Sequence, residues 1–428
     1  MTLTRRTLLT ASAAALGAAA LATSGCASPR TASPGRLALW YSTRGLSEEV
    51  LRDAVRRFPE ARLDPAAVGD GLQHRLLAAM SGDAYLPDIT MLGDDVASYF
   101  PDAGEFVDLF TLGAARLAGE YLPWKWQSGI TPGGAMIGFP IDIGPSALYY
   151  RHDLFAKAGF PSEPDDVAKA VPTWDDYFRF GQELQRALPG RYLITDTKTV
   201  FTYSMAQLPV KYFDRQNRYL RDQPHVREAW DRALRAFRLG LTAGYAGSQD
   251  PGTSVDRHAA WNTGKELSFV NASWITGELK ESAPGTSGSW RVCRAPGGAG
   301  NQGGSYLAIM RACPRPQAAF EVISWMLSPA NQPRTYLDVG LFPSSPAAFG
   351  DPRLRQPEPF FGGQVTMDVF ARSASEVQPA YFSPWDINIS DTYTDELSNV
   401  ELTGKDPDRA WADARTKIER LLRRQGVI

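Results

Sequence analysis

The sequence has few of the residues that metal-dependent and nucleophilic enzymes require. Its 428 residues include 3 cysteines and 4 histidines, and no Cys-x-x-Cys or His-x-x-x-His spacing that would suit a metal ion occurs among them. There is no Gly-x-Ser-x-Gly motif for a hydrolase nucleophile. Neither Gly264-Lys265 nor Gly404-Lys405 is followed by Ser or Thr, so the usual phosphate-binding loop is excluded. We therefore expect no catalytic residue, no metal and no cofactor, and we predict that the chain is not an enzyme.

An excess of charge of one sign is also lacking. The chain carries 45 Lys and Arg residues against 47 Asp and Glu residues, a formal net charge of −2, and no long block of like charges. This balance argues against nucleic acid as a partner. A hydrophobic content of 43% over 428 residues is sufficient for two domains, each with its own core. The expected ligand is a small molecule that need not be ionic.

The amino terminus has no apolar run long enough to span a membrane. Its uncharged stretch from Thr7 to Ala22 falls short of the roughly 20 residues that a transmembrane helix needs. The stretch follows the pair Arg5 and Arg6, which is typical of a cleavable export signal. The leucines behind the arginines resemble a twin-arginine signal, although an ordinary signal with two basic residues also fits. We assign residues 1–25 to a signal peptide.

The signal ends in Thr23-Ser24-Gly25-Cys26, which resembles a bacterial lipobox, although Thr23 stands where Leu is usual. Such a cysteine is acylated and becomes N-terminal after cleavage, so we predict Cys26 as the lipid anchor. Residues 26–35 are rich in Ala, Ser, Thr, Pro and Gly, the composition of a flexible tether. The mature protein is expected on the extracytoplasmic face of the membrane, held there by lipid alone.

Strand and helix patterns alternate after the tether. The periodicity predicts strands over 37–41, 87–92, 267–271, 290–294 and 305–310, and helices over 47–58, 71–81, 173–188, 224–241, 254–263 and 407–424. This alternation indicates an α/β fold with a parallel sheet. Ligands bind such folds where strands end, and Asp94 and Asp95 directly follow a predicted strand.

A series of short motifs runs through the rest of the chain. They are Phe139-Pro140-Ile141-Asp142, Leu148-Tyr149-Tyr150-Arg151-His152-Asp153-Leu154-Phe155, Pro172-Thr173-Trp174-Asp175, Asn271-Ala272-Ser273-Trp274, and Pro296-Gly297-Gly298 leading to Gly303-Gly304-Ser305. Each motif is weak alone, but their order and spacing together are specific. With them the chain resembles the family 1 extracellular solute-binding proteins, which are the sugar receptors of bacterial ABC importers. The resemblance covers nearly all of residues 36–428.

The resemblance implies a periplasmic-binding-protein-like fold, with two α/β lobes and the ligand in a cleft between them. The chain would cross between the lobes near residues 140, 295 and 341. The implied lobes are 36–139 with 296–340, and 140–295 with 341–428. The resemblance further implies a monomer that captures a carbohydrate and delivers it to the transmembrane permease subunits of an ABC importer.

The candidate ligand-binding residues lie at strand ends and crossovers. Sugar faces pack on aromatic rings while sugar hydroxyls bond to polar side chains and amides, and the chain has 11 Trp and 16 Tyr residues. The candidates are Trp40, Tyr41, Arg44, Asp94, Asp95, Asp142, Trp274, Gly304, Ser305, Phe342, Trp385 and Asp386. Of these, Asp95, Asp142, Trp274 and Trp385 match ligand-contacting positions of the family best.

Each kind of candidate has a structural alternative. The two tryptophans could fill a lobe core, which is what we expect of Trp174, Trp230, Trp325 and Trp411 on helical faces. Aspartates in loops also cap helices and form turns. An arginine such as Arg44 could be solvated surface.

Three other functions fit the same sequence. The fold could bind a polyamine, an amino-acid derivative or a polyol, because the scaffold does not dictate its ligand. Two carboxylates near aromatic rings could belong to a cell-surface glycosidase. A sensor or adhesin lipoprotein without a transporter is the third alternative.

The remaining two cysteines give a prediction of their own. Cys293 and Cys313 are expected to form a disulfide, because they are the only cysteines left besides Cys26 and an exported protein meets an oxidising compartment. They lie on predicted strands that could be neighbours. Two buried free thiols are the alternative.

Overall fold

The computed structural model of the chain describes residues 35–69, 71–82, 85–245 and 255–428. The predicted signal peptide, Cys26 and all of the tether except Gly35 lie outside the described residues, so these assignments stay predictions. Among the residues that are described, no helix combines the length and the apolar character needed to cross a membrane.

Ten strands form in the described part of the chain. They are β1 (Leu37–Tyr41), β2 (Leu63–Ala67), β3 (Ile89–Leu92), β4 (Phe139–Pro140), β5 (Asp142–Ile143), β6 (Ser146–Arg151), β7 (Ser268–Ala272), β8 (Trp290–Cys293), β9 (Tyr306–Ile309) and β10 (Phe342–Pro343). They make three sheets, with the orders β2-β1-β3-β9-β4, β7-β6-β8 and β10-β5.

Sixteen α-helices surround these sheets in the same residues. They are α1 (Glu48–Arg57), α2 (Leu72–Met80), α3 (Pro123–Ser128), α4 (His152–Lys157), α5 (Pro164–Ala170), α6 (Trp174–Ala187), α7 (Thr197–Ala206), α8 (Pro224–Arg238), α9 (Val255–Thr263), α10 (Ile275–Ser282), α11 (Pro316–Met326), α12 (Gln332–Val339), α13 (Pro346–Phe349), α14 (Thr366–Glu376), α15 (Asp386–Thr403) and α16 (Pro407–Arg424). Short 3-10 segments cover Pro59–Ala61, Val96–Glu105, Leu109–Leu112, Ala114–Glu120, Pro284–Thr286 and Pro359–Phe361.

The helix starts follow the capping chemistry read from the sequence. Ser47 Oγ accepts a hydrogen bond from the amide of Val50 at 3.2 Å and so caps α1. Thr173 does the same for α6, accepting from the amide of Asp176 at 3.1 Å. Such side chains satisfy amides that the first turn of a helix leaves unpaired. The helices predicted at these two places are confirmed.

The first lobe is built around the five-stranded sheet. β1 runs parallel to β2 and β3, while β9 runs antiparallel to β3 and β4. Side chains of β9 alternate between two cores, because successive residues of a strand point to opposite faces. Leu307 and Ile309 pack with α1 and α11, and Tyr306 and Ala308 pack with the segment that follows β3.

The second lobe is built around the three-stranded sheet, in which β6 pairs antiparallel with both β7 and β8. All six residues of β6 are buried. Leu148 and Tyr150 face a core with α6, α7, α8 and α16, and Ala147 and Tyr149 face a core with α10 and α14. Among the ten strands of the described residues, the predicted parallel arrangement thus holds only for β1, β2 and β3, since the other strand pairings are antiparallel.

The two lobes are joined where β5 pairs with β10. Phe342 lies opposite Ile143 and Pro343 opposite Asp142, in antiparallel register. One residue, Ile141, separates β4 of the first sheet from β5. A short pairing of this kind can act as a hinge, since changes of dihedral angle are confined to a few residues. The lobe boundaries expected from the sequence stay predictions.

The predicted disulfide is wrong. Cys293 and Cys313 are both free and buried. Cys293 ends β8 and lies in a core of the second lobe, whereas Cys313 follows β9 and lies in a core of the first lobe. The two strands are in different sheets and are not neighbours. The alternative of two buried thiols describes the structure.

Candidate ligand-binding site

A cavity of about 250 Å³ lies between the two lobes. By the same measure a single water needs only about 10–15 Å³, so the cavity has room for a ligand much larger than water. Its lining comes from three places: the segment after β3, the base formed by α3 and the loop before β9, and the second-lobe helices α7 and α15 with the segments near them. The lining residues used below are Asp94, Asp95, Ser98, Trp124, Lys125, Ser128, Lys198, Thr202, Lys211, Tyr212, Asn301, Gln302, Gly303, Gly304, Tyr306, Phe382, Asp386, Ser390 and Asp391.

The first-lobe wall carries two adjacent carboxylates. Asp95 accepts hydrogen bonds from Gln73 Nε2 and, at 3.0 Å, from Ser98 Oγ. Desolvation, together with the negative charge of Asp94, raises the pKa of Asp95 to about 6. Asp94 is exposed to the cavity, and desolvation by the surrounding protein raises its pKa while Lys125 opposes the rise. Both aspartates therefore offer hydrogen-bond acceptors to a ligand.

The base of the cavity contains a buried ammonium group. Lys125 of α3 is 1% exposed, and its Nζ lies 3.4 Å from the ring centroid of Tyr306. Tyr306 Oη is 2.7 Å from Ser128 Oγ, one helical turn along α3. Desolvation lowers the pKa of Lys125 to about 7, and the carboxylates of Asp142 and Asp94 oppose the fall. The base thus offers ring faces, hydroxyls and an ammonium.

Gly304 lets the loop before β9 approach this base closely. Its φ is +103°, a backbone conformation that side-chain-bearing residues rarely adopt. A Cβ here would lie 2.7 Å from the carbonyl oxygen of Asp142 and 3.0 Å from Lys125 Nζ. A larger residue would therefore push the loop away from the base of the cavity.

The second-lobe wall carries further pairs of opposite charge. Lys211 Nζ donates to the carbonyl of Met205, and desolvation lowers the pKa of Lys211 to about 8 while Asp386 opposes the fall. Asp386 accepts from the amide of Ser383 at 3.0 Å, and desolvation raises its pKa to about 7. On α15, desolvation also raises the pKa of Asp391, an effect that Lys198 opposes.

Four aromatic rings complete the lining. Tyr306 and Trp124 lie at the base, and Trp124 Nε1 donates to the carbonyl of Ala374 at 3.3 Å. Tyr212 stacks on Tyr393 inside the second lobe. Phe382 differs from the others because it is half-buried and belongs to none of the hydrophobic cores of the described residues. Its ring is therefore available to a ligand.

This arrangement suits a neutral, hydroxyl-rich molecule. Aspartates accept hydrogen bonds, lysines donate them, and the amides and hydroxyls of Asn301, Gln302, Ser98 and Thr202 do both. Aromatic faces pack against apolar C–H surface. No group of three His, Cys, Asp or Glu side chains in the described ranges has the arrangement needed to hold a metal ion.

Comparison with known proteins agrees with this geometry. Residues 59–333 match the sequence model of the bacterial extracellular solute-binding proteins. The chain belongs to this family. A lactose-binding protein of Rhizobium radiobacter is 24% identical over 384 residues, which cover 84% of this chain and 85% of that protein.

Solved structures of solute-binding proteins share the fold. A crystal structure described as an extracellular solute-binding protein of family 1 has a TM-score of 0.82 at 27% identity, covering 90% of this chain and 99% of that one. The galacto-N-biose/lacto-N-biose I-binding protein of a Bifidobacterium longum ABC transporter, in complex with lacto-N-biose, has a TM-score of 0.73 at 19% identity, with 92% and 99% covered. The periplasmic-binding-protein-like fold expected from the sequence is confirmed.

Four of the twelve candidates line the cavity of this solute-binding protein. They are Asp94, Asp95, Gly304 and Asp386. Asp94 and Asp95 come from the first lobe, and Asp386 begins α15 in the second. The structure therefore brings together candidates that are about 290 residues apart in the sequence, since 386 − 95 = 291.

Three candidates lie in hydrophobic cores and not at the cavity. Trp40 and Tyr41 are 6% and 5% exposed within the first lobe, and Phe342 is fully buried in the second. The guanidinium of Arg75 covers the Trp40 ring at 4.9 Å, and Tyr41 Oη donates to Glu48 at 2.7 Å. Burial of an apolar ring in a core explains these placements better than ligand contact.

The other five candidates stand around the cavity without lining it. Asp142 accepts from the amide of Ser305 at 2.7 Å and so holds the loop behind the base. Trp385 precedes α15 and packs on a second-lobe core. Trp274 is 43% exposed, and its Nε1 donates to the carbonyl of cavity-lining Gln302 at 3.3 Å.

The fifth, Arg44, connects the lobes. Its Nη1 lies 2.8 Å from Glu281 Oε1, with both side chains exposed. Arg44 follows β1 of the first lobe, and Glu281 lies in α10, which packs on a core of the second. Within the described residues Arg44 is therefore an interlobe contact and not part of the cavity lining.

Most of the second-lobe wall escaped the sequence interpretation. Neither α7 nor α15 was predicted as a helix, yet they supply Lys198, Thr202, Ser390 and Asp391 to the cavity. A polar helix face turned toward a cleft has the same sequence pattern as one turned toward solvent. Lys125 had a detectable signal, because it stands among the aromatic residues of the segment Trp124-Lys125-Trp126.

Proposed function

We propose that this protein is the extracytoplasmic binding component of an ABC importer and that it captures a mono- or oligosaccharide in the interlobe cavity. The observation that carries the proposal is the lining itself, which alternates carboxylates, ammonium groups and aromatic rings between two lobes. A polyhydroxylated ligand uses all three kinds of group. The protein performs no chemistry on the sugar.

The relatives support the carbohydrate assignment. One is named a lactose-binding protein, and another was solved with lacto-N-biose bound. Both ligands are disaccharides of neutral or N-acetylated sugars, which match a lining whose lysines largely balance its aspartates. The identity of the sugar is the part that experiment must supply.

Isothermal titration with lactose, lacto-N-biose, maltose and spermidine tests the proposal. We expect saturable binding of at least one disaccharide and a matching thermal shift. A ligand at 100 times its Kd stabilises the fold by about 2.7 kcal/mol, which such a shift would register. Binding of none of the three disaccharides would contradict a carbohydrate function in its simplest form.

Spermidine represents the main alternative, a cationic solute. Asp94, Asp95, Asp386 and Asp391 line the cavity against three lysines, so a small excess of carboxylates is present. The three lysines nevertheless favour a sugar over a polyamine, because Lys125, Lys198 and Lys211 would repel a cationic ligand. We expect no binding of spermidine. Binding of spermidine without any disaccharide would replace the proposed ligand class.

We further propose that the ligand closes the two lobes about the β5–β10 pairing and that the permease recognises the closed form. A ligand favours a closed form only through contacts made in that form, and the cavity is lined from both lobes. Small-angle scattering should show a smaller radius of gyration with saturating disaccharide. An unchanged radius would refute closure and leave binding intact.

The membrane anchor is a separate proposal. Cys26 is expected to carry the lipid, and residues 26–35 to separate it from the folded lobes. Replacing Cys26→Ser should release the protein from the membrane fraction without changing its affinity for the disaccharide. Membrane retention of that variant would show that another element attaches the protein.

A further inference from the structure

The ammonium of Lys125 lies at the base of the cavity against the ring of Tyr306. Its side chain is 1% exposed, and it lines the cavity. Nζ makes no hydrogen bond to another residue in the described ranges. Burying an ammonium without hydrogen-bond partners is costly. Donors that the protein leaves free at a ligand cavity are positioned to bond to the ligand.

The groups around Lys125 oppose the loss of its positive charge that burial favours. Asp94 follows β3 and Asp142 lies in β5, and the negative charges of both carboxylates favour the charged form of Lys125. The face of Tyr306, in β9, lies 3.4 Å from Nζ and attracts a cation through its ring electrons. The two carboxylates and the ring come from three different strands or strand ends.

The neighbouring backbone leaves the ammonium in contact with the cavity. Gly304 passes so close that a Cβ there would stand 3.0 Å from Nζ. Asp142 in turn accepts from the amide of Ser305, which fixes the loop beside the ammonium. The loop therefore covers Lys125 on one side and leaves its exit toward the cavity.

We propose that Lys125 donates a hydrogen bond to a hydroxyl of the bound saccharide, from the place at the base of the cavity where the ring of Tyr306 and the backbone of Gly304 lie against its ammonium. The inference rests on the proposed carbohydrate function and adds to it a residue that selects for a hydrogen-bond acceptor on the ligand. Asp94 lines the same cavity and offers an acceptor to the same ligand. Sugars that lack a hydroxyl at that point would leave the ammonium unpaired and bind more weakly.

The proposal predicts a pH dependence of affinity. In the free protein desolvation lowers the pKa of Lys125 to about 7, so part of the population loses the charge just above neutrality. A ligand that bonds to the charged form binds more weakly as the pH rises past this value, because binding must then take up a proton. Asp94, Asp142 and Tyr306 are the other titratable groups that face Nζ.

The experiment compares the full protein with Lys125→Met, Lys125→Gln and Lys169→Met. The last is the matched control, because Lys169 is an exposed lysine of α5 that pairs with Asp166. Titrations use whichever of lactose, lacto-N-biose and maltose the unmodified protein binds most tightly, from pH 6 to pH 9. Thermal unfolding checks that each variant is folded.

We expect Lys125→Met to weaken binding at pH 6 by about tenfold or more, the loss of one charged hydrogen bond. Lys125→Gln, which keeps an N–H donor, should lose less. The unmodified protein and Lys169→Met should bind at least about threefold more weakly at pH 8.5 than at pH 6.5, and neither Lys125 variant should show that alkaline decline.

Two results would overturn the inference. If Lys125→Met binds the disaccharide as tightly as the unmodified protein, Lys125 is not a ligand donor, although the carbohydrate function stands. If Lys125→Met does not fold, the proposal is tested by the affinity of Lys125→Gln and by the change of affinity of the unmodified protein with pH. An affinity of the unmodified protein that does not fall between pH 6.5 and pH 8.5 refutes the proposal. If the unmodified protein binds none of the three sugars, the proposed function and this inference fail together.

Discussion

The two walls of the cavity are built in different ways. The first-lobe wall is the end of a strand, where Asp94 and Asp95 follow β3 and present carboxylates from a short turn. The second-lobe wall is made largely of helix faces, where α7 and α15 present Lys198, hydroxyls and Asp391. The half-buried ring of Phe382 stands just before α15.

This difference has a functional consequence. Acceptors dominate the first wall, while the second wall supplies the free aromatic face and most of the donors. A ligand bound to one wall alone would leave part of its surface unpaired, so contact with both walls favours the closed form. Across the cavity, the negative charge of Asp94 also raises the pKa of Asp391, which links the walls electrostatically.

The largest expected effect of a substitution is on the aromatic side of the comparison. Phe382→Ala, which removes a ring that lines the cavity, should cost about 2 kcal/mol of affinity, roughly 30-fold, as aromatic contacts at the centre of an interface do. Trp274→Ala should cost less, because Trp274 does not line the cavity and reaches it only through its hydrogen bond to the carbonyl of Gln302. Neither ring belongs to a hydrophobic core of the described residues, so the melting temperature should change little. Isothermal titration measures the loss.

Trp325→Ala is the control for these variants. Trp325 packs against Phe58 on the first lobe, away from the cavity lining. It should lower stability and leave affinity unchanged. Equal affinity losses in all three variants would show that general destabilisation, and not ring contact, weakens binding.

A smaller effect is expected on the acidic wall. Asp95→Asn should weaken binding by about tenfold, because a charged acceptor is replaced by a neutral one. The pKa of Asp95 is about 6, above its ordinary value, so its carboxylate gains a proton as the pH falls through that value. Affinity of the unmodified protein should therefore fall below about pH 6, and the Asn variant should show a smaller acid decline, since the raised pKa values of Asp94 and Asp386 leave part of it in place. An identical acid decline in both proteins would remove Asp95 from the site.

The ion pair that joins the lobes outside the cavity should matter less. Arg44 and Glu281 are 50% and 65% exposed, and pairs of this kind contribute about 0.2–1 kcal/mol. Arg44→Ala should therefore change affinity by no more than about fivefold. A double-mutant cycle with Glu281→Gln measures the coupling. Additive effects of the two substitutions would show that the pair does not couple the lobes.

The smallest expected effect concerns the two cores. Each lobe buries one cysteine, Cys293 or Cys313, with no bond between them. Reducing agent should leave the melting temperature unchanged. Alkylation of the unfolded protein without reductant, followed by peptide mass spectrometry, should find both thiols modified. A cross-linked peptide containing 293 and 313 would contradict the separate cores.

The sequence predicted the first wall well and the second wall poorly. Strand β3 could be recognised from the sequence because a buried strand has a continuous apolar run. Asp94 and Asp95 could be recognised with it because they follow the strand directly. Asp386 was a candidate and lies in the cavity lining, but the helix that it begins was not predicted. The polar positions of α15 face a cleft that exists only because the other lobe stands opposite.

The same reasoning explains the misplaced aromatic residues. Trp40 and Phe342 lie in strands, where an aromatic residue that contacts a ligand and one that packs in a core have the same sequence pattern. The structure places both in cores, because the helices and strands packed around them cover their rings. Trp274 has a similar pattern and remains exposed, since the chain turns into α10 at this residue.

The amino-acid sequence by itself determined the capped helices, the strands β1, β3, β7, β8 and β9, the family and the position of the acidic turn after β3, because these depend on local periodicity and motif spacing. Only the tertiary structure decided which residues meet in the cavity. Lys125, Asp94 and Asp391 lie on separate elements, and their charges interact because two lobes fold back on each other. The separation of the two cysteines has the same cause, since sheet membership depends on long-range pairing that no local pattern encodes.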